Sequence, residues 1–191
     1  MNDIEKYDYI EKIYGNSYFD NIDVVLKLLS DIDEGVRIEM IEACYACEQE
    51  LVRKKLFQML NDTKGLEKGY LLLTLSYIYQ DNKKKIVDVL NQNIHSMDVY
   101  EKMDAYIGLI ILGYDSYLKE VLKFLESSEY FVRCAALNML SELIQNNLIK
   151  KENFETIVNV VNKIYEKEET QAVKSSIQHL FEIMNLESGD K

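Results

Sequence analysis

VLKLLSDIDEGVR, residues 25–37, and VLKFLESSEYFVR, residues 121–133, are two spellings of one unit, set 96 residues apart. In each, a leucine-rich segment runs into a polar turn, and a second amphipathic segment opens on Val-Arg, at Val36-Arg37 and Val132-Arg133. A pair of short helices of this kind cannot bury its apolar face alone and has to stack on further copies. The self-similarity therefore predicts an all-α chain before composition is considered.

Working outward, apolar residues recur at i, i+3, i+4 and i+7 in eleven segments. The expected helices span 2–14, 20–30, 34–47, 49–61, 66–80, 82–93, 97–112, 115–126, 129–145, 151–165 and 169–185. Between them stand helix stops and starts, among them Gly15-Asn16-Ser17, Asp33, Asn61-Asp62, Asp81-Asn82, Gly113 and Asn146-Asn147. Pro is absent and Gly occurs only seven times among 191 residues, which leaves few of the turn signals of an all-β chain. Short connections and the lack of any linker predict one domain over residues 1–191. Residues 1–19 form its capping helix, and ESGDK, residues 187–191, is a frayed tail.

Aligned on the turn, the segments form five hairpins with a basic residue near the start of each second helix: Arg37, Lys68, Lys102, Arg133 and Lys174. The apolar residue closing each first helix recurs as Leu29, Leu60, Leu90, Leu125 and Val161. A leucine-rich helix, an acidic turn and a second helix opening on Val-Arg resembles the HEAT-repeat family over roughly residues 20–185. Val36-Arg37 and Val132-Arg133 match that pattern best. Glu67-Lys68 and Glu101-Lys102 keep only the cation, and the Pro often found in such repeats is missing. The resemblance implies a right-handed α-solenoid of about five hairpins whose second helices line the concave, partner-binding side. For the recurring cation, the simplest expectation is a bond to an acidic turn residue, Asp31 or Asp33 for Arg37, that ties one repeat to the next.

The net charge of −11 disfavours nucleic acid and anionic membranes as partners. It is also unevenly placed: residues 1–50 hold thirteen acids against four bases, so most of the excess lies at one end. An acidic N-terminus and the absence of an apolar run of about 18 residues predict a soluble, cytoplasmic protein. Cys44 and Cys47 form a lone CxxC, which together with Cys134, His95 and His179 supplies no zinc spacing. These cysteines and histidines read as packing residues, with no metal or cofactor expected. Gly-rich phosphate loops, HExxH, GxSxG and Cys-His pairings are all missing, which predicts a non-enzyme.

In the helix from Glu34, the stripe Val36, Met40, Cys44 and Cys47 must face the core, leaving Glu39, Glu42 and Ala46 outward. Carried through the basic anchors, the same register places Tyr70 and Asp104 beside Glu39, and Leu73 beside Glu42. With Asp31 and Asp33 from the turn, these seven residues are the expected partner-binding set. Fourteen tyrosines suit an interface, and Tyr7, Tyr9, Tyr14 and Tyr18 beside Asp3, Glu5, Asp8 and Glu11 form a second candidate patch. The reading is a protein-interaction module for a basic partner. Its narrower version follows from a resemblance to acidic helical-repeat immunity proteins that neutralise basic toxins. The enzymatic alternative that the family implies is a DNA-repair glycosylase, which needs a cationic groove this sequence does not offer.

Overall fold

The first three helices start at side chains that accept the orphan amides of a first turn. α1 (Asp3–Ile13) opens on a capping box, in which Asn2 Oδ1 accepts the Glu5 amide at 3.0 Å and Glu5 Oε2 accepts the Asn2 amide at 2.8 Å. α2 (Ile22–Leu28) is capped by Asn21, and α3 (Glu34–Ala43) by Asp33. There follow α4 (Glu50–Met59), α5 (Gly65–Ile78), α6 (Val87–Asn93), α7 (Val99–Ile111), α8 (Leu118–Lys123), α9 (Tyr130–Gln145), α10 (Phe154–Tyr165) and α11 (Gln171–Ser188). The computed structural model describes residues 1–188, and no strand occurs among them. The chain is all-helical as the periodicity requires, with each expected segment matched by one α-helix. The tail expected to fray lies, from Gly189 onward, outside the described residues.

Several expected helices are shorter than the pattern suggests, in part because their ends tighten to 3-10 geometry. The segment Gln80–Lys85 is a 3-10 stretch in which Asn82 leaves helical geometry (φ −131°, ψ 59°). Lys83, Lys84 and Lys85 are therefore exposed ahead of α6 and not its first turn. Three adjacent like charges after an Asp-Asn pair, both good at competing for local backbone hydrogen bonds, account for this. The end of the first helix in the second copy of the motif, Phe124–Glu126, likewise tightens to 3-10.

The chain divides into two compact units, one ending at Gly108 and the other starting at Leu109, so the boundary falls inside α7. The sequence, read as one domain, carries no mark of it. In the first unit α3 packs against both α1 and α5, while α2 touches α3 and α4, and α4 touches α5. In the second, α9 packs against α11, α10 touches α11, and residues 124–126 contact both α9 and α10. Leu29, Leu60, Leu90, Leu125 and Val161 are all buried, as the hairpin alignment demands. Cys44 and Cys47 are buried too, and desolvation raises both thiols above their ordinary value. His95 and His179 are exposed, so the packing expected of them is not found.

The recurring arginine forms the same clasp twice. Arg37 donates through Nη1 to the carbonyls of Asp31 and Ile32 at 2.8 and 3.2 Å, and through Nε and Nη2 to both oxygens of Glu67 at 2.7 and 2.8 Å. Arg133 donates to the carbonyls of Ser127 and Ser128 at 2.8 and 3.2 Å, and to both oxygens of Glu168 at 2.9 Å. One guanidinium thus closes its own turn and grips, through a bidentate pair, a carboxylate about thirty residues onward, on α5 for Glu67 and in the turn before α11 for Glu168. In the repeat that follows Arg37, Lys68 Nζ lies 3.9 Å from Glu101, which also accepts the Gly65 amide and the Ser96 hydroxyl. The expected tie between repeats is present, but its acceptor is a carboxylate about thirty residues onward, not Asp31 or Asp33. In Glu67-Lys68 the acid receives from the repeat before and the base reaches toward the repeat after.

Candidate functional site

The outward side of α3 is set by its buried side: Val36, Met40, Ala43 and Cys44 are fully enclosed, so Glu39, Glu42 and Tyr45 fall on the other stripe. On α1, Tyr7, Glu11 and Tyr14 share a stripe at i, i+4 and i+7, and all three are exposed. The two stripes meet. Tyr14 Oη donates to Glu42 at 3.0 Å, and the Tyr7 phenol is pushed up by desolvation and by the nearby carboxylates of Asp33 and Glu39. Just beyond the helix ends, Tyr18 Oη donates to Glu48 at 2.7 Å, which raises the Tyr18 pKa. The surface that the sequence offered as two separate patches, one on the first helix and one on the third, is a single acidic and aromatic face.

Tight backbone contacts hold this face together at the C-terminal ends of its helices. Gly15, at φ +73°, turns the chain after α1, and its amide donates to the Ala43 carbonyl at 3.2 Å. A Cβ there would stand 2.7 Å from Tyr45 Oη, so this position needs glycine both for its conformation and for the close approach of the ring. Tyr45 packs on Tyr14 with centroids 5.7 Å apart, and on Tyr77 of α5 at 6.0 Å in an edge-on arrangement. A row of three rings therefore crosses α1, α3 and α5.

The seven expected residues divide into three groups. Glu39 is exposed, and Glu42 and Tyr70 are half-buried, so all three reach the surface. Asp31 and Asp33 serve local structure: Asp31 pairs with Lys6 at 3.0 Å, and Asp33 Oδ1 accepts the Gly35 and Val36 amides at 2.7 and 3.3 Å. The Asp33 amide and the Lys6 ammonium hold the Asp31 carboxyl below its ordinary value. Leu73 and Asp104 are corrections, because both are buried, at 9 and 4 % exposure. The reason is that α5 and α7 are apolar on nearly all sides, with residues 71–76 buried without a break and Met103, Ala105 and Ile107 enclosed around Asp104. Carried from α3 to α5 and α7, the outward register therefore fails at these two positions.

Tyr45 and Tyr77 were missed. Tyr45 follows Glu42 by three positions and Glu39 by six, a spacing that could have placed it on the same stripe. Among the described residues, no group of three or more His, Cys, Asp or Glu side chains converges as a metal site, and no helix is long and apolar enough to cross a membrane. Two open grooves lie beside the repeated clasps, about 650 Å³ near Arg133 and Glu168 and about 500 Å³ near Arg37 and Glu67. Each lies beside one copy of the arginine–glutamate pair. No family model, no curated protein and no solved structure matches the chain.

Proposed function

We propose that the chain is a non-catalytic protein-interaction module whose hairpins stack in a HEAT-like solenoid manner within each unit, and that it captures a basic partner protein on the exposed side of α1 and α3. One observation carries the reading: Tyr7, Glu11, Tyr14, Glu39, Glu42 and Tyr45 share one surface, in the part of the chain that holds thirteen acids against four bases. Rigid rings with polar ends supply contact area at low entropic cost, and concentrated negative charge speeds the encounter with a positive partner. The narrower version, neutralisation of a basic toxin, uses the same surface. A DNA-repair reading needs a cationic groove to hold phosphates, and the face of α1 and α3 carries the opposite charge.

Fluorescence anisotropy at low salt tests the proposal with two labelled probes, a short arginine- and lysine-rich peptide and a DNA duplex. The peptide is expected to bind, with affinity falling as salt rises, and the duplex to remain free. Binding of the duplex, or indifference to the peptide, would overturn the reading. For the toxin version, co-expression with the basic product of an adjacent reading frame should restore growth, and failure to rescue would leave only the general module.

A further inference from the structure

We infer that the notch formed by Tyr14, Tyr45, Tyr77 and Glu42 receives an arginine side chain of the bound partner; this rests on the protein-binding reading above and locates its anchor. Three independent features of the notch favour a cation. The first is aromatic: Tyr45 sits between Tyr14 and Tyr77, with centroid separations of 5.7 and 6.0 Å, and Tyr14 and Tyr45 are 48 and 38 % exposed, so both rings reach the surface beside the carboxylate. The second is the Glu42 carboxylate, half-buried and joined to the Tyr14 hydroxyl at 3.0 Å, which fixes ring and charge side by side.

The third feature is the backbone. α1 ends at Ile13, α3 at Ala43 and α5 at Ile78, and the three tyrosines stand at or next to those C-terminal ends. Helix C-termini carry a partial negative charge that favours cations within the last turn. The hydrogen bond from Gly15 to the Ala43 carbonyl holds two of these ends together. Rings, carboxylate and two or three helix ends thus point the same electrostatic way. Elsewhere in the same unit the chain already uses this chemistry on itself, with Arg53 at 5.6 Å and Lys85 at 5.0 Å from the centroid of the Tyr79 ring.

Arginine fits the notch better than lysine. A guanidinium is planar and weakly hydrated, so it stacks on a tyrosine face while its fork of N–H donors reaches a carboxylate beside the ring. An ammonium is compact and strongly hydrated, and gains less from the rings. The notch is therefore expected to discriminate between partners of equal charge.

The test uses the full chain and two labelled peptides of equal length and charge, one with arginines and one with lysines at the same positions. Wild type is expected to prefer the arginine peptide. Tyr45→Leu should weaken that peptide roughly tenfold and remove the preference while leaving the lysine peptide nearly unchanged, and Tyr45→Phe should retain it. Far-UV circular dichroism and melting of both variants check that the helices persist. If Tyr45→Leu does not fold, Glu42→Gln provides the same comparison with the rings in place. Equal binding of the two peptides to wild type, or loss of both together in a folded Tyr45→Leu, overturns the notch and leaves the basic-partner reading intact. If neither peptide binds wild type, both fall.

Discussion

Replacing Asp104 by Asn removes an ionisable group that the fold holds as the neutral acid. The side chain is 4 % exposed, and its carboxyl lies against Gly69, where a Cβ would come within 3.1 Å of the Asp104 Cγ. Desolvation, with a smaller contribution from the negative charge of Asp98, pushes the pKa from its ordinary 3.8 up to about 8. A carboxyl whose pKa is higher in the folded than in the unfolded chain holds its proton more tightly when folded. Its stabilisation is complete below about pH 4 and is lost as the pH rises through the folded value. Each pH unit in that window costs about 1.4 kcal/mol, so the wild type is expected to lose about 4 kcal/mol from this group between pH 5 and pH 9. Asn keeps the shape and cannot ionise. Urea unfolding followed by far-UV circular dichroism at pH 5, 7 and 9 should show the variant and wild type diverging with pH, the variant being the more stable at pH 9. Parallel pH dependence of the two proteins would refute the claim that Asp104 is buried as the neutral acid.

Arg133→Met leaves the Glu168 carboxylate enclosed without its clasp and is expected to cost about 3 to 5 kcal/mol, more than the double replacement Arg133→Met with Glu168→Met; a double-mutant cycle of urea midpoints measures the difference. Because the hydrogen bonds from Arg133 hold Glu168 down to about 2, the clasp also predicts stability that is full above about pH 4.5 and lost as the pH falls toward 2, an acid limb that Arg133→Met should flatten. Leu29→Ala and Leu125→Ala, at equivalent buried positions of the two repeat copies, should each destabilise by roughly 2 to 5 kcal/mol. A loss under about 0.5 kcal/mol in either would contradict the hairpin alignment, with chemical denaturation as the measure.

Helices were legible because a 3.6-residue apolar period and turn chemistry act locally. Leu29 and Leu125 sit at the same place in two near-identical spellings, and burial followed from position alone. What depended on distant neighbours was not legible. The acceptor for Arg37 is Glu67, one repeat onward, while the nearer candidates Asp31 and Asp33 are taken by Lys6 and by the first turn of α3. No local pattern links residues thirty positions apart. The outward register held on α3, where polar residues alternate with the buried stripe, and failed at Leu73 and Asp104, where the helix is apolar around its circumference. The reach of the tyrosines was only half visible: Tyr14 and Tyr18 stood out beside acids of their own segment, but their carboxylate partners, Glu42 and Glu48, come from the end of the third helix and the turn after it.

The central claim is that opposite charge on the α1 and α3 face holds the partner. Glu11 and Glu39 are both exposed on that face, so converting both to Lys should leave the melting temperature nearly unchanged, surface substitutions usually costing within about 0.5 kcal/mol. Titration of the basic peptide against Glu11→Lys with Glu39→Lys is the most direct measurement. Capture by charge predicts that affinity drops by about tenfold or more at low salt and that the gap narrows as salt is raised. Unchanged affinity in a normally folded double variant would contradict it.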